Sequence, residues 1–248
     1  MKIVILSGTS LDTFQQEVLQ PIVDDPLMEI VAAFIDCRPK PSAKKRFLKN
    51  LKRGRGGYMI VMLFKSFFAQ RKPTVPAKEF FEDRNIPVIE SSTPYAEETI
   101  QRLQLLLPEA MVMIGGFGIV KEPLLSLAPK GILSYHHGDM RKYRGQPVGF
   151  WELYNNETEM GVTVQRLSAG IDKGTPVVER CIPIHHGDSV SSLRERALSA
   201  SPDMMHEALH VIQASDYRPT IIETYGPIYT LPNLRQYLLL KLKILFRR

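Results

Sequence analysis

Short apolar runs rich in β-branched residues alternate with segments of helical period along the first half of the chain, and that alternation most constrains the fold. A strand, a crossover helix and a second parallel strand form the repeating unit of a sheet covered by helices on both faces. The pattern predicts strands over residues 2–7, 29–36, 87–90, 110–115 and 131–135, and helices over 13–23, 77–84, 95–107 and 148–155. Residues 161–167 and 176–184 read as neighbouring strands joined by the turn-rich Ser168-Ala169-Gly170-Ile171-Asp172-Lys173-Gly174. A helix then follows Asp188-Ser189, either of which can cap it. The expectation is an α/β chain with a Rossmann-like, mostly parallel sheet flanked by helices and a strand-rich second half.

The 248 residues, 44% hydrophobic and 23% charged, suffice for one full domain with additions, and they exclude disorder, collagen-like structure and a disulfide scaffold. Cys37 and Cys181 stand far apart with no C-x-x-C pairing, which excludes a zinc ribbon and a dithiol motif and fits a reducing compartment such as the cytoplasm. The opening Met1-Lys2-Ile3-Val4-Ile5-Leu6-Ser7-Gly8 is too short for a signal peptide and reads as a buried first strand. The longest unbroken apolar run has seven residues, Tyr58 to Phe64, against the ~20 that span a bilayer.

Charge is unevenly spread. Twelve Lys or Arg and no acid stand between Arg38 and Lys72, and five more, again without an acid, stand between Asn233 and Arg248, leaving 15 basic against 26 acidic residues elsewhere. The stretch 38–72 breaks the βα rhythm and reads as a basic helical insertion whose second half, Tyr58 to Phe68, is strongly apolar. Such a segment either binds an anionic membrane surface or packs its apolar half on the body or a second copy of the chain, as in a homodimer. Aromatic and basic residues do not interleave as in an RNA-binding module, so nucleic acid is not an expected partner. The C-terminal run 237–248 is also basic and apolar, with a periodicity ambiguous between helix and strand.

The first strand is followed by Gly8-Thr9-Ser10, one glycine where a dinucleotide fingerprint needs three, and the later Gly115-Gly116-Phe117-Gly118 has Lys121 at the third glycine position. A nicotinamide cofactor is therefore not expected, although a glycine turn at a strand end suits a flat ligand held by backbone groups. Two His-His-Gly-Asp tetrads occur, at 136–139 and 185–188. Adjacent histidines in a strand face opposite ways, so neither tetrad reads as a metal site. The second reads as a helix cap with His185 and His186 on a surface loop. The first lies at the carboxyl end of an apolar strand, where open α/β sheets place their chemistry.

Ile132-Leu133-Ser134-Tyr135-His136, Tyr143-Arg144-Gly145, Gly161-Val162-Thr163 and Gly170-Ile171-Asp172-Lys173-Gly174 follow in order. This succession resembles the folate-dependent formyltransferase family, whose pattern runs Ile-Leu-Asn-x-His, Tyr-Arg-Gly in many members, Gly-Val-Thr and Gly-x-Asp-x-Gly. The resemblance covers about residues 2–211. It implies 10-formyltetrahydrofolate as formyl donor, an amine acceptor, no metal, and a catalytic set of His136, Asp172 and Ser134. It further implies that the backbone of Gly115, Gly116, Phe117, Gly118, Ile119 and Val120, with Asp172, holds the folate. The acceptor is expected near Gly8, Thr9, Ser10, Asp139, Tyr143 and Arg144, with Asp139 either meeting a cationic acceptor or capping its loop. Ser134 departs from the family's Asn: a hydroxyl gives one short-reaching donor where an amide gives two.

The resemblance divides the chain into a catalytic domain at 1–216 and a short C-terminal extension at 217–248. An extra C-terminal barrel marks the transfer-RNA enzymes, and a Gly-x-Gly-Ser-Asn phosphate turn marks the glycinamide ribonucleotide enzymes. By elimination, the expected acceptor is an amino sugar on a nucleotide or lipid carrier. A purine-type transferase, a formylfolate hydrolase and a non-catalytic folate- or sugar-binding module stay open beside it.

Overall fold

The structure is a computed structural model and describes residues 1–68 and 73–246. The basic residues at 71, 72, 247 and 248 lie outside the described residues, as do the side chains of 43, 46 and 64–68.

Seven strands form the main sheet: β1 (Lys2–Ser7), β3 (Glu29–Asp36), β5 (Val88–Ser91), β6 (Ala110–Gly115), β7 (Ile132–His136), β9 (Glu159–Arg166) and β10 (Thr175–Pro183). Their order is β10-β9-β7-β6-β1-β3-β5. The first five in sequence are mutually parallel, whereas β9 runs antiparallel to β7 and β10 antiparallel to β9. The chain starts in the middle, builds outward through β3 and β5, and returns past β1 to β6 and β7. That reversal opens a crevice at the carboxyl ends of β1 and β6, the switch point where open α/β sheets bind ligands.

Burial on both faces explains the unbroken apolar reading of the strands. Ile3 and Ile5 of β1 join a core with Val18 and Leu19 of α1 (Thr13–Asp24), Phe80 and Phe81 of α4 (Ala77–Glu82), and Met205 and Leu209 of α8 (Met204–Gln213). Val4 and Leu6 point the other way, to Phe34, Phe117, and Ile100 and Leu103 of α5 (Glu97–Leu105). A small antiparallel pair, β2 (Ser10–Asp12) with β4 (Thr74–Pro76), follows the first turn. Asp12 then caps α1: its Oδ1 accepts from the Gln15 amide at 3.0 Å, and Gln15 Oε1 accepts from the Asp12 amide at 2.8 Å. The same Gln15 donates Nε2 to the Ile114 carbonyl at 2.8 Å, fixing the helix start against the end of β6.

The basic insertion holds two helices, α2 (Ala43–Lys52) and α3 (Gly56–Phe68), and the ambiguous C-terminal run is helix α9 (Leu234–Phe246). The two basic stretches meet. Tyr58 packs on Tyr237 with ring centroids 5.7 Å apart, and a Cβ on Gly57 would stand 2.9 Å from Leu234. Leu240 is buried, and Lys243 Nζ reaches the Tyr154 carbonyl of α6 (Phe150–Tyr154) at 2.5 Å.

The described residues of the C-terminal extension, 217–246, contact the body. Their β11 (Ile228–Tyr229) pairs in parallel with β8 (Arg144–Gly145), and Arg55 of the insertion donates to Thr230 Oγ1 at 2.7 Å. The second His-His-Gly-Asp tetrad is structural. Ser189 caps α7 (Val190–Ser199), Asp188 pairs with Arg196 at 2.7 Å, and His185 and His186 are exposed.

Candidate active site

At the end of β7 the pleat sends successive side chains to opposite faces. Tyr135 and His137 share one face, their rings stacked 5.6 Å apart, while Ser134 and His136 are buried on the other. The two imidazoles of the first tetrad therefore do not converge. His137 Nε2 is buried with no hydrogen-bond partner among the described residues, and burial pulls this imidazole down to a pKa of about 4, so it is neutral.

His136 lies between two acceptors. Nδ1 is 3.4 Å from Asp172 Oδ1, and Nε2 is 2.8 Å from the Tyr143 carbonyl. Burial opposes its charge, but hydrogen bonding and attraction to Asp172, with the Tyr143 carbonyl, outweigh burial and raise its pKa. Asp172 sits in the β9–β10 turn at φ 44°, a left-handed conformation that Asp tolerates better than most residues. Its Oδ2 accepts from the Gly145 amide at 2.8 Å. Burial opposes its ionisation too, yet His136 and the Gly145 N–H hold its pKa below the usual carboxylate range. One carboxylate thus ties β7, the 143–147 loop and the β9–β10 turn together. The Nε2 hydrogen that could serve a developing oxyanion is the one the Tyr143 carbonyl holds.

Two buried polar residues join this centre that the sequence reading passed over. Gln165 stands directly across the β7–β9 ladder from Ser134 and is 1% exposed. Its Oε1 accepts from the Gly174 amide at 2.9 Å, and its Nε2 lies 3.5 Å from Asp172 Oδ1. A carboxamide therefore stands opposite the position where the family pattern has Asn. Glu152, 3% exposed on α6, lines the same small cavity as His136, Tyr143 and Trp151, and burial pushes its carboxyl up to about 7. The signals were local: an acid inside Phe150-Trp151-Glu152-Leu153-Tyr154, and polar Thr163 and Gln165 alternating with Val162 and Val164.

The glycine turn after β6 touches the turn after β1. Gly115, Gly116 and Gly118 have φ of 124°, 75° and 81°, and a Cβ on Gly116 would stand 2.7 Å from the Gly8 Cα. The Gly8 amide donates to the Gly115 carbonyl at 3.0 Å. The side chains of Phe117 and Val120 are buried in the core, Phe117 against Phe34 at 5.6 Å, so these two residues offer only backbone to a ligand. The Phe117 carbonyl accepts from Arg38 Nη2 at 2.9 Å and the Ile119 carbonyl from the Tyr95 hydroxyl at 3.1 Å, while the Ile119 side chain is exposed. Arg38 is thus tied into the body, its guanidinium also 2.6 Å from Asp36.

The remaining expected residues are spread around the crevice. Thr9 and Ser10 are exposed, with the Thr9 carbonyl accepting from the Ala77 amide at 3.0 Å. Asp139 caps its own loop, accepting from the Arg141 amide at 2.9 Å. The Tyr143 hydroxyl donates to Glu157 at 2.8 Å, and Arg144 Nε to the Gly226 carbonyl at 2.6 Å, so both side chains brace the loop. A groove of about 420 Å³ begins at Gln146 and Pro147 and runs between α3, α7 and α9, lined by Tyr58, Met62, Arg194 and Lys241 among others.

The family model for formyl transferase matches residues 64–209, more than half of the chain. Methionyl-tRNA formyltransferase of Geobacter sulfurreducens is 29% identical over 139 residues, covering 56% of this chain and 44% of that protein. The corresponding enzyme of Desulforamulus reducens is 27% identical over 158 residues, with 62% and 50% covered. The chain thus spans about half the length of the curated relatives it matches. Among solved structures, a sugar N-formyltransferase from Shewanella sp. FDAARGOS_354 superposes with TM-score 0.61 at 15% identity, over 99% of this chain and 88% of that one. Glycinamide ribonucleotide transformylase 1 from Symbiobacterium toebii gives 0.60 at 18%, with 90% and 94% covered. An N-formyltransferase from Helicobacter canadensis, solved with folinic acid and dTDP-3-aminofucose, gives 0.60 at 16%, with 92% and 71% covered. Motif order, site position and family match agree, and the chain belongs to the formyl transferase family.

Proposed function

We propose that this chain transfers a formyl group from 10-formyltetrahydrofolate to a primary amine, and that the amine belongs to a sugar on a nucleotide or lipid carrier. The observation that carries the reading is the His136–Asp172 pair at the carboxyl end of β7, beside the glycine turn of β6. The amine nitrogen forms a bond to the formyl carbon, and its electron pair drives the carbonyl electrons onto oxygen. His136 Nε2–H, released from the Tyr143 carbonyl, donates to that oxyanion, and Ser134 adds one hydroxyl donor. Asp172 holds the imidazolium and an ordered water that carries the ammonium proton to the leaving folate nitrogen, whose bond to carbon breaks as the carbonyl reforms. Glu152, poised near neutrality, is a second acceptor for that proton.

The sugar assignment is supported by two proteins of like fold, a sugar N-formyltransferase and an N-formyltransferase solved with dTDP-3-aminofucose, and by the groove at Gln146 and Pro147. Its apolar walls with Arg194 and Lys241 suit an anionic carrier with an apolar part. The exposed lysines of α2 and the exposed Ile60, Leu238, Leu242 and Leu245 beside it suit a peripheral site on the cytoplasmic face of an anionic membrane. No helix among the described residues is long and apolar enough to cross a membrane.

The test is turnover of 10-formyltetrahydrofolate with a panel of amines: dTDP-linked amino sugars, lipid-phosphate-linked amino sugars, glycinamide ribonucleotide and methionyl-tRNA. Turnover confined to the sugars is expected, and turnover confined to either of the last two overturns the acceptor assignment. A second reading, a folate- or sugar-binding module without catalysis, is favoured by Ser134 and by the Tyr143 carbonyl on His136. No turnover with any amine, together with retained folinic acid binding, selects it.

A further inference from the structure

On the side of the molecule away from the glycine turn, three side chains distant in sequence converge. His206 and His210 stand one turn apart on the same face of α8. Asp25 is the C-cap of α1, a 12-residue helix whose other end is the Asp12 cap at the crevice. At ~1.5 Å per residue that places Asp25 roughly 18 Å along the helix from the site. Asp25 Oδ2 lies 2.7 Å from His206 Nε2 and 2.8 Å from His210 Nε2, and the two Nε2 atoms are 3.2 Å apart. The other oxygen, Oδ1, accepts from the Leu27 amide at 2.8 Å, which leaves Oδ2 to the two imidazoles. The imidazole rings meet edge to face at 89° rather than stacking, with both Nε2 atoms beside the one carboxylate oxygen.

We infer that Asp25, His206 and His210 form a binding site for a borderline divalent transition metal, Zn2+ above all, with the fourth coordination position open to water. Zn2+ takes imidazole nitrogen at about 2.0–2.1 Å and carboxylate oxygen at about 2.0–2.2 Å, so tetrahedral ligand atoms stand about 3.3–3.5 Å apart. The nitrogen pair is already close to that separation. The carboxylate needs to recede by roughly half an ångström, a small rotation about its own Cβ. Two imidazoles with one carboxylate select zinc, nickel or copper over magnesium and calcium, which take oxygen ligands. His206 is 29% and His210 41% exposed at the side chain, so the ion can enter from solvent. Bound there, it joins the end of α1 to α8 and stiffens the helix whose start anchors Gln15 to the end of β6. Its role is structural, since the formyl transfer site lies at the other end of α1.

Untagged, chelator-treated protein titrated calorimetrically with ZnCl2 tests the site. The expected result is one equivalent bound saturably with a raised Tm, and no matching heat with MgCl2. Asp25→Asn and His210→Gln, each with an unchanged circular dichroism spectrum, should weaken Zn2+ binding by about tenfold or more. Absence of saturable binding in the folded wild type overturns the inference. So does binding that neither variant weakens, which would place the ion on the cysteines or other histidines.

Discussion

At His136, a carboxylate and a peptide carbonyl both draw on one imidazole, and the balance sets its charge. Its raised pKa means that the stabilisation it contributes is complete below the unfolded value of ~6.5 and is lost as pH rises through the folded value. Asp172, with its pKa lowered, contributes above ~3.9 and loses that contribution as pH falls. His136→Ala should lower kcat by about 10²–10⁴-fold while changing folinic acid affinity little, measured by steady-state turnover and calorimetry. Ser134→Asn restores the second amide donor and should raise kcat, by up to ~10²-fold for one oxyanion contact. Glu152 runs the opposite way to Asp172. Its carboxyl at about 7 means that the native state loses stability as pH rises from ~4.5 to ~7, by about 3 kcal/mol. Denaturant melts of Glu152→Gln across that range should show the slope removed.

At the scale of elements, three parallel strands follow from the apolar runs alone, because a strand covered on both faces needs no other information. The sequence boundaries of β1, β3 and β6 match the structure. Helix 148–155 shortens to Phe150–Tyr154 because Gly149 adopts φ 74°, and helix 95–107 stops at Leu105 before Leu107 turns to φ 49°. Gln165 could not be placed at the centre without the β7–β9 register, nor Glu152 without knowing which side of α6 lines the cavity at His136. The β8–β11 pairing joins segments some eighty residues apart and leaves no local pattern. It bears directly on the site, since Gly145 supplies the amide that holds Asp172, and a Cβ on Gly145 would collide with the Tyr229 carbonyl. Gly145 also has φ 90°. Gly145→Ala should therefore cost ~1–3 kcal/mol of stability in chemical denaturation and lower kcat by loosening Asp172.

At the scale of the whole molecule, two basic stretches far apart in the chain meet beside the groove, which the charge count foreshadowed but could not establish. Part of the insertion packs on the body, with Tyr58 buried against α9, while Ile60 and Met62 are exposed. Lys44, Lys45, Lys49 and Lys52 are exposed on α2. With ~1 kcal/mol per basic residue near an anionic surface, cosedimentation with phosphatidylserine vesicles should be strong at low salt and lost in high salt. Replacing the four lysines by glutamate should abolish it without altering turnover of a soluble amino-sugar nucleotide. Retention by neutral vesicles to the same extent would instead assign the face to apolar contact.

The proposed folate site at the β6 glycine turn beside His136 is tested most directly by calorimetric titration with 5-formyltetrahydrofolate. Wild-type protein should bind one equivalent with micromolar affinity, and Gly116→Val, which forces a side chain against Gly8, should lose that binding while His136→Ala keeps it. Folded wild-type protein that gives no binding heat would contradict the account, as would a Gly116→Val variant that binds as well as wild type.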